Sequence, residues 1–274
     1  MHYFTFYERI FVYVKSELNK AFHSFSVRMV FLVMLAISIA ENIDVFYFTK
    51  IVHFYGNIHP AQASILSAPN NIRFDLLLIY ALPVLLIFAY CCKSIQEKKL
   101  GLNNIYVLKY GRKKLLITRF TTAFVVGFSI FFAVLVINLF LNMVIMPGGT
   151  DFLGEETQPK EVLGAFEYFQ IHHPYLSYFY FIILSSFTTG LLAVVCQAFS
   201  YFFRDNKLSL LFSVAVWLLF FQDYPIMVGD AYSPFRMEVT IKSSLSSLGD
   251  FVVLALVPSL VLVLILQRSR KDEI

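Results

Sequence analysis

The sequence predicts an all-α polytopic membrane protein, on its composition, the length of its apolar runs and the placement of its basic residues. Of 274 residues, 58% are hydrophobic and 15% charged, and the mean hydropathy is +0.70. A soluble domain carries roughly 25% charged residues, so this chain has too little polar surface to cover itself in water. Apolar runs of roughly 17 to 25 residues match the bilayer hydrocarbon at the helical rise of about 1.5 Å per residue. A helix is also the spanning structure that satisfies every backbone polar group internally. Six such runs are present, predicting six transmembrane helices over 27–274.

Residues 1–26 precede them. Glu8, Lys15, Glu17 and Lys20 interrupt this segment, so it does not read as a cleavable signal peptide. Tyr3, Tyr7, Ile10, Phe11, Val14, Leu18, Phe22 and Phe25 recur at helical spacing, which predicts an amphipathic interfacial helix with an aromatic face in the headgroups. A plain cytoplasmic extension of the first span is the alternative.

The expected spans cover 27–48, 74–92, 121–146, 175–203, 208–227 and 251–266. The fifth is strongly apolar only as far as Phe221. Pro83, Pro225 and Pro258 are expected to kink or end helices locally. The long outer connections are then 49–73, 147–174 and 228–250. Lysine and arginine are retained on the cytoplasmic side. With the N-terminus inside, 17 of the 22 basic residues fall there, eight of them between Lys93 and Arg119. The outer side receives Lys50, Arg73, Lys160, Arg236 and Lys242, with Glu155, Glu156, Glu161 and Glu167. A multi-pass protein of the cell membrane with both termini cytoplasmic follows. The basic residues sit at span ends, which argues against nucleic acid as a partner.

Cys91, Cys92 and Cys196 lie in or beside spans, so free thiols are expected rather than disulfides; lipidation of the adjacent pair is a weaker alternative. No G-x-x-x-x-G-K-[ST], H-E-x-x-H or G-x-S-x-G occurs. His172 and His173 are adjacent, not spaced i, i+4, and make a poor metal site. The expectation is a chain with no catalytic residues, no metal and no cofactor of its own.

The cytoplasmic connection 93–119 is longer than a turn needs. Gly101 and Gly111 divide it into short pieces, while Ile95, Leu102, Ile105 and Tyr106 can share one helical face and leave Lys98, Lys99 and Lys109 solvated. Such a helix suits a groove on a soluble partner; a loop on lipid headgroups is the other reading.

These features together resemble the integral-membrane permease subunits of ABC transporters of the ABC-2 type, in particular those of low-GC Gram-positive bacteria. The resemblance rests on six spans, an amphipathic helix before the first, and a connection beginning Glu97-Lys98-Lys99-Leu100-Gly101 and ending Tyr110-Gly111-Arg112-Lys113-Lys114. His173-Pro174-Tyr175 opening the fourth span and Arg204-Asp205-Asn206-Lys207 as a tight inner turn fit the same pattern, whereas the loop 147–174 is longer than in the simplest members. The resemblance implies that the connection is a coupling helix seated in an ATPase cleft, with Glu97, Gly101, Ile105, Tyr106, Lys109 and Arg112 as ATPase-coupling residues. It also implies two ABC ATPase subunits carrying ATP and Mg, and a second permease subunit, identical or homologous.

Polar groups within spans are functional candidates because hydrocarbon disfavours them. Glu41 and Asn42 lie roughly 20 Å up the first helix from Arg28, in its outer half, and Asp44 follows near the interface. Asn138 and Asn142 share a face of the third span, as Ser185 and Thr189 share one of the fourth. Glu41, Asn42, Asn138 and Asn142 are the expected translocation-path residues. Interhelical hydrogen bonding is the structural alternative for the asparagines and for the Ser/Thr pair. The function expected is a permease forming half of an ATP-driven export path. The 31 phenylalanines and 16 tyrosines would suit a hydrophobic or amphipathic cargo, and equally plain lipid contact. A stand-alone secondary transporter or a membrane-embedded enzyme is the alternative.

Overall fold

Apolar runs bounded by basic clusters favour helix as the local solution, and among the described residues every regular element is a helix. A computed structural model describes residues 13–52, 59–61, 63–65, 72–149, 172–203 and 205–220, and no strand occurs among them. The first twelve residues, residues 150–171 of the expected long outer loop, the segment 228–250 expected outside and the expected sixth span lie outside the described residues.

Helix α1 covers residues 13–22. It stops at a turn where Ser24 begins the next helix, its Oγ accepting from the Val27 N–H at 3.3 Å. The amphipathic segment is thus a separate helix, and the break falls just before the boundary expected at residue 26. Leu18 and Ala21 seat α1 on the core, while Phe22 and Phe25 face outward. Helix α2 (Phe25–Phe46) continues through a π-turn (Tyr47–Ile51). The second expected span is helical throughout, with α3 (Ile72–Leu86) passing through a π-turn (Ile87–Cys91) into α4 (Cys92–Lys99). Pro83 lies inside α3 and does not end it.

Beyond α4 come α5 (Leu102–Tyr110) and α6 (Arg112–Ile145). Gly101 (φ 74°) and Gly111 (φ 81°) make the two turns, both in the positive-φ region where a side chain is strained. Helix α7 (Pro174–Phe202) opens on a proline at its first turn, where the missing N–H costs nothing, and α8 (Asn206–Phe220) covers the described part of the expected fifth span.

Among the described residues, three helices are long and apolar enough to cross a membrane: Phe25–Ile51, Arg112–Ile145 and Pro174–Phe202. The 34 residues of α6 reach on the order of 50 Å against roughly 30 Å of hydrocarbon. Its surplus is residues 112–119, where Arg112, Lys113, Lys114 and Arg119 cluster. Helix α7 is the most enclosed of the three, with 67% of its apolar window buried against 44% for α6 and 33% for α2. It is therefore the centre of the bundle. Its most extensive partner is α6, and α8, α3 and α4 pack around it, while α2 lies on α6 and α3.

The α6–α7 contact depends on small residues. A Cβ added at Gly127 would lie 2.8 Å from the Ala193 Cβ and 3.2 Å from the Thr189 carbonyl oxygen, so the two backbones approach closely there. The hydroxyls of Ser186, Thr188 and Thr189 on α7 bond within their own helix. Thr189 Oγ1 donates to the Ser185 carbonyl at 2.9 Å, Thr188 to Leu184 at 3.0 Å and Ser186 to Ile182 at 2.6 Å. A hydroxyl satisfied by its own preceding turn occupies little more than a methyl group, which suits close packing.

Candidate functional site

Helix α2 presents Ser38, Glu41 and Asn42 on one face because residues three and four apart lie above one another. Helix α6 does the same with Asn138 and Asn142. The fold joins these faces: all five are buried, from 0% to 2% exposed. Asn138 Nδ2 lies 3.0 Å from Ser38 Oγ, 2.9 Å from Glu41 Oε2 and 2.9 Å from Asn42 Oδ1. Asn142 Nδ2 donates to Asn42 Oδ1 at 2.9 Å and lies 3.4 Å from Ser64 Oγ. All four residues expected along a path, Glu41, Asn42, Asn138 and Asn142, are thus in one cluster, and Glu41 has a partner from a second span.

Residues 59–61 and 63–65 close this cluster. The Ile65 N–H donates to Asn138 Oδ1 at 3.1 Å, and Ser64 Oγ donates to the Pro60 carbonyl at 2.9 Å. His59 shapes the turn, with Nδ1 accepting from the Ala61 N–H at 3.1 Å and the ring 4.7 Å from that of Tyr175. Burial holds its imidazole below the ordinary value, so the neutral ring is the form that can accept this bond. Two buried amide atoms, Asn42 Nδ2 and Asn142 Oδ1, have no hydrogen-bond partner among the described residues. The cluster is therefore polar, enclosed and unsaturated, which is what a ligand site within an apolar bundle requires. Ser38 was legible in the sequence from its spacing to Glu41; Ser64 was not, since only the chain reversal after α2 brings it near.

A second polar group lies at the basic end, about 28 Å along α6 from Asn138 at the helical rise. Arg119 Nη2 donates to Glu97 Oε2 at 2.7 Å, and Lys20 on α1 lies 3.7 Å from Glu97 Oε1. Burial would lower the Lys20 ammonium, but the carboxylates of Glu17 and Glu97 outweigh it and the net shift is upward. Lys98 donates to the carbonyl oxygens of Ser200 and Tyr201, and its ammonium sits 4.3 Å from the centre of the Tyr201 ring. Arg112 Nε donates to Tyr201 Oη at 3.4 Å, and Gln197 Nε2 to Ser94 Oγ at 3.0 Å. Glu97 and Arg112 therefore face inward and tie α4 and α6 to α1 and α7. Lys98 does likewise, and is not solvated as expected.

The residues expected to share one apolar face are divided. Gly101 separates the two short helices, so Ile95 on α4 is fully buried, whereas Leu102 and Ile105 on α5 face outward. Tyr106 is half-buried, 5.9 Å from the Lys20 ammonium, and Lys109 is exposed. Leu108, which drew no attention in the sequence, is 88% exposed and Leu100 is 74% exposed. An outward apolar ridge on a helix at the basic end is the result. Cys91 and Cys196 are buried and Cys92 half-buried, all as free thiols.

No protein-family model matches the chain, and no solved structure matches it. A protein of Bacillus subtilis (strain 168), described as uncharacterized protein YybM, is similar to it, with 28% identity over 207 residues that span 74% of this chain and 81% of that one. That description names no activity, ligand or partner.

Proposed function

We propose that the chain is the membrane permease subunit of an ATP-driven exporter of the ABC-2 type, forming half of a translocation path and coupled to separate ATPase subunits. The observation that carries this reading is the ridge of Leu102, Ile105 and Leu108 on α5, with Leu100 beside it. Large aliphatic side chains grouped on a helix at the basic end are costly in water and call for a cover. Lys99 and Lys109 flank them, as suits a soluble partner with an acidic rim.

The ion pairs and hydrogen bonds of Glu97, Lys98 and Arg112 give that ridge a firm base. They join α4 to α6 and α6 to α7, and α5 follows α4 directly through Gly101, so force applied at α5 is passed to the bundle. In this reading Ile105 and Leu108 touch the ATPase, whereas Glu97 and Arg112 act as positioning residues. The Glu41–Asn138 cluster is part of the path, within a permease pair whose second member is identical or homologous. ATP and Mg belong to the ATPases.

The test is co-purification from native membranes in mild detergent. A soluble protein with a Walker motif is expected to stay bound to the tagged chain and to be lost with Ile105→Asp or Leu108→Asp. Glu97→Gln should retain the partner but lower ATPase stimulation. Recovery of no ATPase by an intact, folded chain overturns the reading and favours a stand-alone ion-coupled carrier. The buried carboxylate and amides on facing helices are the feature that would then carry function.

A further inference from the structure

We propose that Ser38, Glu41, Asn42 and Asn138 form a site for an alkali-metal cation, and that the Asn138 amide is a two-position switch linking cation entry to release of the 59–65 segment. Three oxygens, Ser38 Oγ, Glu41 Oε2 and Asn42 Oδ1, converge on Asn138 Nδ2 at 2.9 to 3.0 Å. A carboxamide nitrogen carries two hydrogens, so it cannot serve all three acceptors at once. The point it occupies is a natural position for a cation. Asn142 Oδ1, fully buried at the same cluster and without a hydrogen-bond partner among the described residues, supplies a further open oxygen.

The donor set selects the ion. Carboxylate, amide and hydroxyl oxygens are hard ligands that suit s-block cations, not the softer transition metals. One carboxylate charge balances one monovalent cation, whereas a divalent ion would leave a positive charge buried in the bundle. Mg²⁺ additionally requires oxygens at about 2.0–2.1 Å in octahedral array, far tighter than the spacing here.

The coupling follows from the Ile65 latch. In the structure Asn138 Oδ1 accepts from the Ile65 N–H at 3.1 Å, which fixes the orientation of the amide. Turning that amide over brings Oδ1 among the three oxygens, of which only the Ser38 hydroxyl can donate, so a cation is what holds the four together. The same turn points Nδ2 at the Ile65 N–H, donor against donor. Cation and Ile65 therefore compete for one oxygen, so each weakens the hold of the other. This inference involves no ATPase, and the chain alone suffices to test it.

The experiment uses the full chain purified in nanodiscs at fixed pH, with NaCl or KCl compared with choline chloride at equal ionic strength. The thermal midpoint is expected to rise with the logarithm of the alkali-metal concentration, as for any ligand that binds only the folded state. Ala63→Cys reports release, because Ala63 is 2% exposed between Val45 and Met146. Its maleimide labelling, in excess of the parent chain with its own cysteines, should quicken roughly three- to tenfold in saturating cation, as loss of one hydrogen bond would shift an opening equilibrium. Glu41→Gln should abolish both responses, and Ser38→Ala should move them to higher concentration. Identical behaviour in choline, or a cation response that survives Glu41→Gln, overturns the proposal. So does a rise of the thermal midpoint in choline on lowering the pH, which would identify a proton as the ligand, since protonation of His59 loosens the segment and cannot raise the midpoint.

Discussion

Asn138 carries more of the α2–α6 polar cluster than any other side chain. Its nitrogen faces three oxygens on α2 and its oxygen holds the Ile65 N–H, so truncation would leave buried groups of two segments without a partner. Asn138→Ala is expected to destabilise the bundle by about 2 kcal/mol, near the upper limit for polar contacts within membranes. Thermal unfolding in detergent should show a midpoint lower by roughly 4–8 °C; an unchanged midpoint would show that the cluster contributes nothing to stability. His59 makes a different prediction. Its folded form is held below the ordinary value of 6.5, so the segment closes normally above that pH. As pH falls through 6.5 and then through the depressed value, the open segment takes up a proton more readily than the closed one, and closure weakens. Labelling of Ala63→Cys in choline should therefore quicken below about pH 6.5, and His59→Gln should remove that pH dependence. If the Ala63→Cys acceleration persists with His59→Gln, another group is responsible.

Among the elements, the α6–α7 pair and the α4–α5 turn set two glycines different tasks. At Gly127 the obstacle is space: an added methyl meets the Ala193 Cβ and the Thr189 backbone, neither of which can swing aside. Gly127→Ala should cost about 1–3 kcal/mol, and Ala193→Gly in the same chain should recover part of it. At Gly101 there is open space but φ is 74°, so Gly101→Ala meets only backbone strain of about 1–2 kcal/mol. Proteolysis should detect local loosening of α5 in the second variant with an unchanged global midpoint. A global loss would mean that the turn supports the whole bundle. The positions of both glycines were plain in the sequence. Only Gly101 had a legible role, because a turn between two short amphipathic pieces is a local feature, whereas the Gly127 contact joins helices far apart in sequence.

For the molecule as a whole, the polarity of the basic residues predicts topology. Single cysteines at Lys109 and at Lys50 should be reached by an impermeant maleimide from opposite sides of the membrane, with the Lys109 position accessible from the cytoplasm. Labelling of both from one side would contradict the expected orientation. The helical class and the apolar segments at 27–48, 121–146 and 175–203 were legible because hydropathy and helix length are local quantities, and the helices occur there. Glu41, Asn42, Asn138 and Asn142 were recognisable one span at a time, since a polar side chain within an apolar run stands out by itself. Their convergence was not, because which face of α2 meets which face of α6 is set by tertiary packing between helices about 100 residues apart. The connection 93–119 shows the same division. Its glycine turns and basic charge came from the order of residues alone, whereas the inward turn of Glu97 toward Arg119 and the outward turn of Leu108 depend on how α4 and α5 rotate against the bundle. Helical periodicity places residues on a common face; contact with a neighbouring helix decides whether that face is buried.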